Sequence, residues 1–257
     1  MREAIQFTFD GISSEDMGVH IASPNGGLYE ETFLPNRRII ETTVAKKDKP
    51  YFQRVEHEPL SFSLSFFIHE WRNRDNLRQI ARWLFKDYYK PLYFETNPDR
   101  IFYAIVEGSS SLMHNGCKDG YITLNVRCNS AYTYSNVFEA DYESLVLNPS
   151  NSLAIYNEGD MTIKPKVWIT KTVSNGSISI ENEANDQIIV MNNLQLNEQV
   201  YIDFENEEIV SSLESLTVYR YKDHNNIWLE LIEGDNSLTF IGDFDIQIEY
   251  ELVYLAD

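Results

Sequence analysis

Apolar and polar positions alternate from the start of the chain: Ile5, Phe7 and Phe9 are separated by Gln6 and Thr8, and the turn formers Asp10 and Gly11 follow. This predicts a half-buried strand and a turn. The clearest strand lies further on, where Leu60, Phe62, Leu64, Phe66 and Ile68 face one way and Ser61, Ser63 and Ser65 the other. After Trp71 the period changes. Leu77, Ile80, Ala81, Leu84, Phe85 and Tyr88 fall at helical spacing and predict an amphipathic helix over about 73–88. Asn73 or Asp75 caps its start, Pro91 stops its continuation, and Arg74, Arg78, Arg82 and Lys86 form a basic ladder on the solvated face.

Strands resume at 91–95, at 101–106, which is apolar on both faces and so interior, and at 121–128, where Ile122, Leu124, Val126 and Cys128 point inward. One helix against a mostly antiparallel sheet makes this half α+β. Between the first strand and the serine-backed one lie residues 17–21, a breaker cluster at 23–27, an extended stretch through 37–44 and a polar tip at 46–50. An arm or hairpin over about 20–48 is expected. Mixed polarity on both faces buries too little to hold such an element alone, so it rests on its own domain or on a neighbouring subunit.

From residue 161 onward, short apolar runs recur at 161–163, 167–169, 178–180, 188–190, 200–204, 216–221, 228–231, 238–241 and 246–254, separated by Asn-, Asp- and Gly-rich turns. That rhythm predicts a β-sandwich or jelly roll. In the last run, Ile246, Ile248, Tyr250, Leu252 and Tyr254 form the core side. Glu249 and Glu251 face solvent. The fold class is therefore mostly β in two domains, an α+β domain over 1–134 and a sandwich over 135–257.

Charge sharpens this division. The chain has 257 residues and a formal net charge of −19. Residues 1–130 hold 16 Lys/Arg against 17 Asp/Glu, whereas residues 131–257 hold 5 against 23. So acidic a protein does not read DNA, which demands basic clusters that displace counterions. A hydrophobic content of 43% supplies a core without staples. No run approaches a membrane span and the start lacks a signal-peptide pattern, so a soluble, unexported chain is expected, with no membrane insertion.

Candidate chemistry is sparse. The five histidines are scattered, without H-E-x-x-H or H-x-H spacing, and Cys117 and Cys128 have no zinc partners and read as buried thiols. No G-x-S-x-G elbow or phosphate loop occurs. No catalytic residue, metal site or cofactor is assigned, and the chain is read as a non-enzyme. With 40 acids, carboxylate pairs carry no weight as glycosidase candidates, and Glu205, Glu207 and Glu208 read as a solvated turn. Trp168 and Trp228 are candidate sugar-stacking aromatics of a lectin-like sandwich, although strand aromatics are more often core.

Several segments, taken in order, resemble the distal tail protein family of long-tailed bacteriophages: FTFDGISSEDMGV at 7–19, VAKKDKPYF at 44–52 leading into the serine-backed strand, and KPLYF at 90–94 after the helix. So do TLNVRCNSAY at 123–132, NEGDMTIKPK at 157–166 and LIEGDNSLTF at 231–240. The resemblance spans nearly the whole chain. One departure is that the family often carries a glycine-containing turn where this chain has AKKDK at 45–49.

The resemblance implies a structural virion protein of the tail tip. In that family six copies form a ring, single or paired, at the end of the tail tube. An arm-like hairpin belts the neighbouring subunit, and a galectin-like C-terminal sandwich projects outward. The implied partners are five further copies of the chain, the tail tube protein, a tail-associated hub or fibre protein and receptor-binding proteins, with DNA only passing through the pore. The arm residues expected at the ring interface are Phe33, Leu34, Arg37, Arg38, Ile40 and Val44. The alternative is a carbohydrate-binding module that recognises host cell-wall sugars through the sandwich.

Overall fold

The alternating segments become strands of four sheets in a computed structural model that describes residues 5–22, 35–114, 116, 118–143, 151–213 and 219–255. The chain divides into two units, 1–135 with 254–257, and 136–253. The last residues thus group with the first unit, a return that the charge step along the sequence does not show.

In the first unit the strands are β1 (Phe7–Phe9), β2 (Ile12–Ser13), β3 (Val19–Ile21), β4 (Arg37–Thr42), β5 (Tyr51–His57) and β6 (Ser61–His69), then α1 (Arg74–Leu84), β7 (Lys90–Phe94), β8 (Asn97–His114), β9 (Asp119–Cys128) and β10 (Thr133–Tyr134). The main sheet runs β2-β1-β7-β8-β9-β6-β3 with antiparallel neighbours, and β10 joins β8 at Tyr134 and Ile101. Leu64 and Phe66 of β6 stand opposite Leu124 and Ile122 of β9. Their alternation with serine buries one face and leaves Ser63 and Ser65 to bond Asn125 and Thr123 across the strands.

Helix α1 covers the buried face. The Asn73 side chain accepts from the amides of Asp75 and Asn76, and Ile80, Trp83 and Leu84 are buried. The Trp83 ring stacks on Phe7 at 5.4 Å, and its indole nitrogen donates to the Phe9 carbonyl at 2.8 Å. The helix ends at Leu84, short of the expected 88. Phe85 and Tyr88 are exposed, because the chain turns away after Leu84 and brings Lys86 and Lys90 to the Asp10 carboxylate at 2.7 and 3.5 Å. Those two ammonium groups, Lys86 first, hold the Asp10 carboxyl below its ordinary range.

The hairpin is displaced from its expected bounds. His20 and Ile21 pair with β6 in the main sheet, and β4 pairs instead with β5, so the hairpin spans 37–57 with residues 43–50 as its polar tip. Val19 is fully buried in the core, which draws β3 into the sheet.

The second unit contains β11 (Phe138–Tyr142), β12 (Ser152–Asn157), β13 (Lys166–Lys171), β14 (Gly176–Asn182), β15 (Gln187–Leu194), β16 (Gln199–Asp203), β17 (Glu208–Ser211), a 3-10 turn at Arg220–Lys222, β18 (Gly234–Ile241) and β19 (Phe244–Tyr250). β20 (Val253–Tyr254) follows, and Tyr254 lies in the first unit, its ring under the Arg100 guanidinium at 3.4 Å. Two sheets, β11-β19-β13-β16-β17 and β12-β18-β14-β15, form a sandwich. Val167, Ile202 and Ile248 of one and Ile180, Leu238 and Phe240 of the other are buried, and Phe240 meets Phe244 and Tyr142 between the sheets.

Three expected strands are not strands among the described residues. Around 216–221 the described residues form the 3-10 turn, because the Arg220 side chain is drawn into the interior. Residues 228–231 make only an isolated bridge, Leu231 to Ile163, which is also all that 161–163 contributes.

Candidate assembly surfaces

The β4–β5 hairpin is a sheet of two strands that pairs with no third strand among the described residues. Its register sets Ile39 opposite Val55 and, past a bulge, Glu41 opposite Phe52, so Ile39, Val55 and Phe52 share one face. All three are exposed, Phe52 at 65% and Ile39 at 61%. Arg38, Ile40 and Thr42 occupy the opposite face. Arg37 and Arg38 are exposed, Ile40 is half-buried and Val44 is exposed at the start of the tip, while Phe33 and Leu34 lie outside the described residues. The residues missed from sequence are Tyr51, Phe52 and Val55. Their signal was the aromatic and β-branched content of 51–55, masked by Gln53 and Arg54.

The base of the hairpin is fastened to the body. His57 Nδ1 and the Tyr132 hydroxyl are 2.6 Å apart, the Glu58 amide donates to the Asn36 carbonyl, and the Leu60 amide donates to Ser130. Along the strands Arg54 Nε donates to Glu56 at 2.9 Å, Arg38 approaches the same carboxylate at 3.8 Å, and Lys47 donates to the Tyr51 hydroxyl. These exposed pairs contribute under about 1 kcal/mol each and do not hold a ribbon rigid in water.

The second surface is the outer face of the five-stranded sheet. Register lines up Asp141, Gln247, Trp168, Tyr201 and Val210 in one row across all five strands. The Trp168 and Tyr201 rings are 5.0 Å apart and tilted by 44°. They floor an open depression of about 670 Å³. Trp228 is not part of it, because it packs on buried Phe204 and on His224. The two tryptophans singled out in the sequence are therefore not brought together.

Buried polar groups in this unit are structural. Arg220 donates from Nε and Nη2 to the two oxygens of Glu198 at 2.7 Å and from Nη1 to Asp223 at 2.8 Å, and Ser211 donates to Glu198 at 2.6 Å. Burial raises the Glu198 carboxyl, but Arg220, the Gln195 amide and Ser211 outweigh it and hold the acid below its ordinary range. Asp203 closes the β16–β17 turn by accepting from the Glu205 and Asn206 amides, which places Glu205 and Glu207 in that turn. Burial pushes the Cys128 thiol up to about 12. Among the described residues no group of three or more His, Cys, Asp or Glu could hold a metal ion, and no helix is long and apolar enough to cross a membrane.

The described residues thus present an exposed hairpin face and an open outer face of the five-stranded sheet. The chain belongs to a family of phage tail proteins: residues 2–130 match the model of a phage tail protein N-terminal domain, and residues 132–250 that of a phage tail C-terminal domain. It is 30% identical over 256 residues, 99% of its length, to the whole of the SPbeta prophage-derived uncharacterized protein YomH of Bacillus subtilis strain 168. Its fold matches the crystal structure of the SPP1 Dit (gp 19.1) protein, described as a paradigm of the hub adsorption apparatus in phages that infect Gram-positive hosts. The TM-score is 0.69 at 14% identity, with 96% of this chain and 98% of that one covered. A chain of the phage P2 baseplate in its activated conformation with Ca matches at TM-score 0.50 and 9% identity, covering 95% and 97%. The fold is shared with the SPP1 Dit protein.

Proposed function

We propose that this protein is the ring adaptor of a phage tail tip: six copies close a ring that joins the tail tube to the hub and host-recognition proteins, with no bond-making of its own. The observation that carries this reading is the β4–β5 hairpin, which exposes Ile39, Val55 and Phe52 on one face and, among the described residues, pairs with no third strand. A two-stranded ribbon of this kind becomes ordered when a neighbour covers its apolar side, and a ring of identical copies offers that neighbour through a heterologous contact. The near-neutral first half suits the wall of a channel through which DNA passes without adhering.

Native mass measurement and projection images of the purified chain, alone and with the tail tube protein, test this. A closed ring of six is expected, and changing Ile39, Phe52 and Val55 together to Ser should leave folded monomers. A wild-type chain that stays monomeric alone and with its tail neighbours would sink the reading. Sugar binding by the sandwich is the weaker reading, since only Trp168 of the two candidate tryptophans lies on an open face.

A further inference from the structure

We infer that the outer face of the five-stranded sheet docks an extended, lysine- and arginine-bearing segment of a partner protein, laid across Trp168 and Tyr201. This rests on the sandwich alone and does not depend on ring formation.

Three relationships point to a cationic partner. The first is the aromatic floor. Trp168 is 36% exposed beside Tyr201 in the centre of the row that also holds Gln247 and Asp141, and an exposed indole in a depression attracts an ammonium or guanidinium through its ring face.

The second is the adjacent row, which register assembles from Glu139, Glu249, Lys166, Asp203 and Glu208. Glu139 and Glu249 stand directly opposite each other, an arrangement that costs the sheet stability through like-charge repulsion. Lys166 is the single cation of the row, with its Nζ 4.0 Å from Asp203, and it leaves the row negative. The field reaches the floor: the Tyr201 hydroxyl is held above its ordinary range by burial and then by Asp203, Glu208 and Glu249.

The third is the contrast with the other outer face. On the four-stranded sheet the rows Ser152, Thr239, Glu181 and Ile188, and Ile241, Ser179 and Val190, hold one carboxylate between them, and Asp235 stands opposite Tyr156 in a third. None of these rows matches the four acids of the row beside the aromatic pair. An anionic polymer is repelled there, and a neutral sugar gains nothing from the net charge. A cationic chain gains both the ring face and charge-assisted hydrogen bonds while relieving the Glu139–Glu249 repulsion.

The test is titration of the full chain with a fluorescent alternating Lys-Ser peptide, with a Glu-Ser peptide and chitohexaose as comparison probes. Saturable binding of the Lys-Ser peptide is expected, weakening with added salt. Trp168→Ala, and separately Glu139→Gln with Glu249→Gln, should each weaken it by roughly tenfold while circular dichroism stays unchanged. Glu181→Gln with Asp235→Asn, on the other sheet, should leave it unaltered. The proposal is overturned if the Lys-Ser peptide does not saturate, or if both pairs of neutralising substitutions weaken it equally. It is also overturned if chitohexaose binds in its place and that binding is lost in Trp168→Ala but kept in the Glu139/Glu249 variant.

Discussion

Arg220 and Glu198 form a two-pronged ion pair inside the sandwich, with side-chain exposures of 6% and 0%. The pair links the residue just before β16 to the 3-10 turn, and its remaining valences are filled by Asp223, Ser211 and the Gln195 amide. Removing one partner strands the other charge. Glu198→Ala should cost about 3–5 kcal/mol in urea unfolding, whereas Glu198→Met combined with Arg220→Met should recover most of that loss. If the single variant unfolds at the wild-type midpoint, the pair is not structural.

Stability should fall in acid over two separate pH ranges. His224 is buried and held below its ordinary value by that burial, so below about pH 6.5 the unfolded imidazole takes up a proton that the native one refuses, and stability falls. Glu198, Asp203 and Asp223 are also depressed; their contribution is complete above about pH 4–5 and is lost as pH falls through the lower native values. Urea midpoints measured across pH should show both slopes, and His224→Leu should flatten the upper one while sparing the lower.

Trp83 is bound to β1 by more than packing. Trp83→Phe keeps the stack on Phe7 but removes the indole bond to the Phe9 carbonyl, so a loss of about 0.5–1.5 kcal/mol is expected. A thermal midpoint equal to wild type would show that the indole bond adds nothing to stability.

Gly159 is set by a close approach of main chain. A Cβ there would lie 2.7 Å from the Val253 carbonyl oxygen and 3.0 Å from its nitrogen, beside the bond from the Asp160 amide to that oxygen. Backbone cannot swing aside as a side chain does, so Gly159→Ala should destabilise the chain by about 1–3 kcal/mol. Equilibrium unfolding that matched wild type would show that the main chain shifts to admit the methyl group.

Local period made much of the fold legible. The serine-backed β6, the helical face holding Leu77, Ile80 and Leu84, and the turn-separated strands of the sandwich follow from side-chain alternation, a property of neighbouring residues along one chain. The family resemblance was legible for the same reason, since it rests on short motifs in a fixed order.

Local pattern therefore marks most of the strands, the helix and the gathering of acids in the second half. Tertiary structure decided the rest. β5 became the partner of β4 because Val19 and Ile21 were claimed by the main sheet, a competition between burial sites far apart in the chain. Phe85 was left exposed because Trp83 found Phe7 and the Phe9 carbonyl. Trp168, Tyr201 and Glu249 became neighbours only through cross-strand register, which is chosen by the face that must be buried and is invisible until two sheets meet.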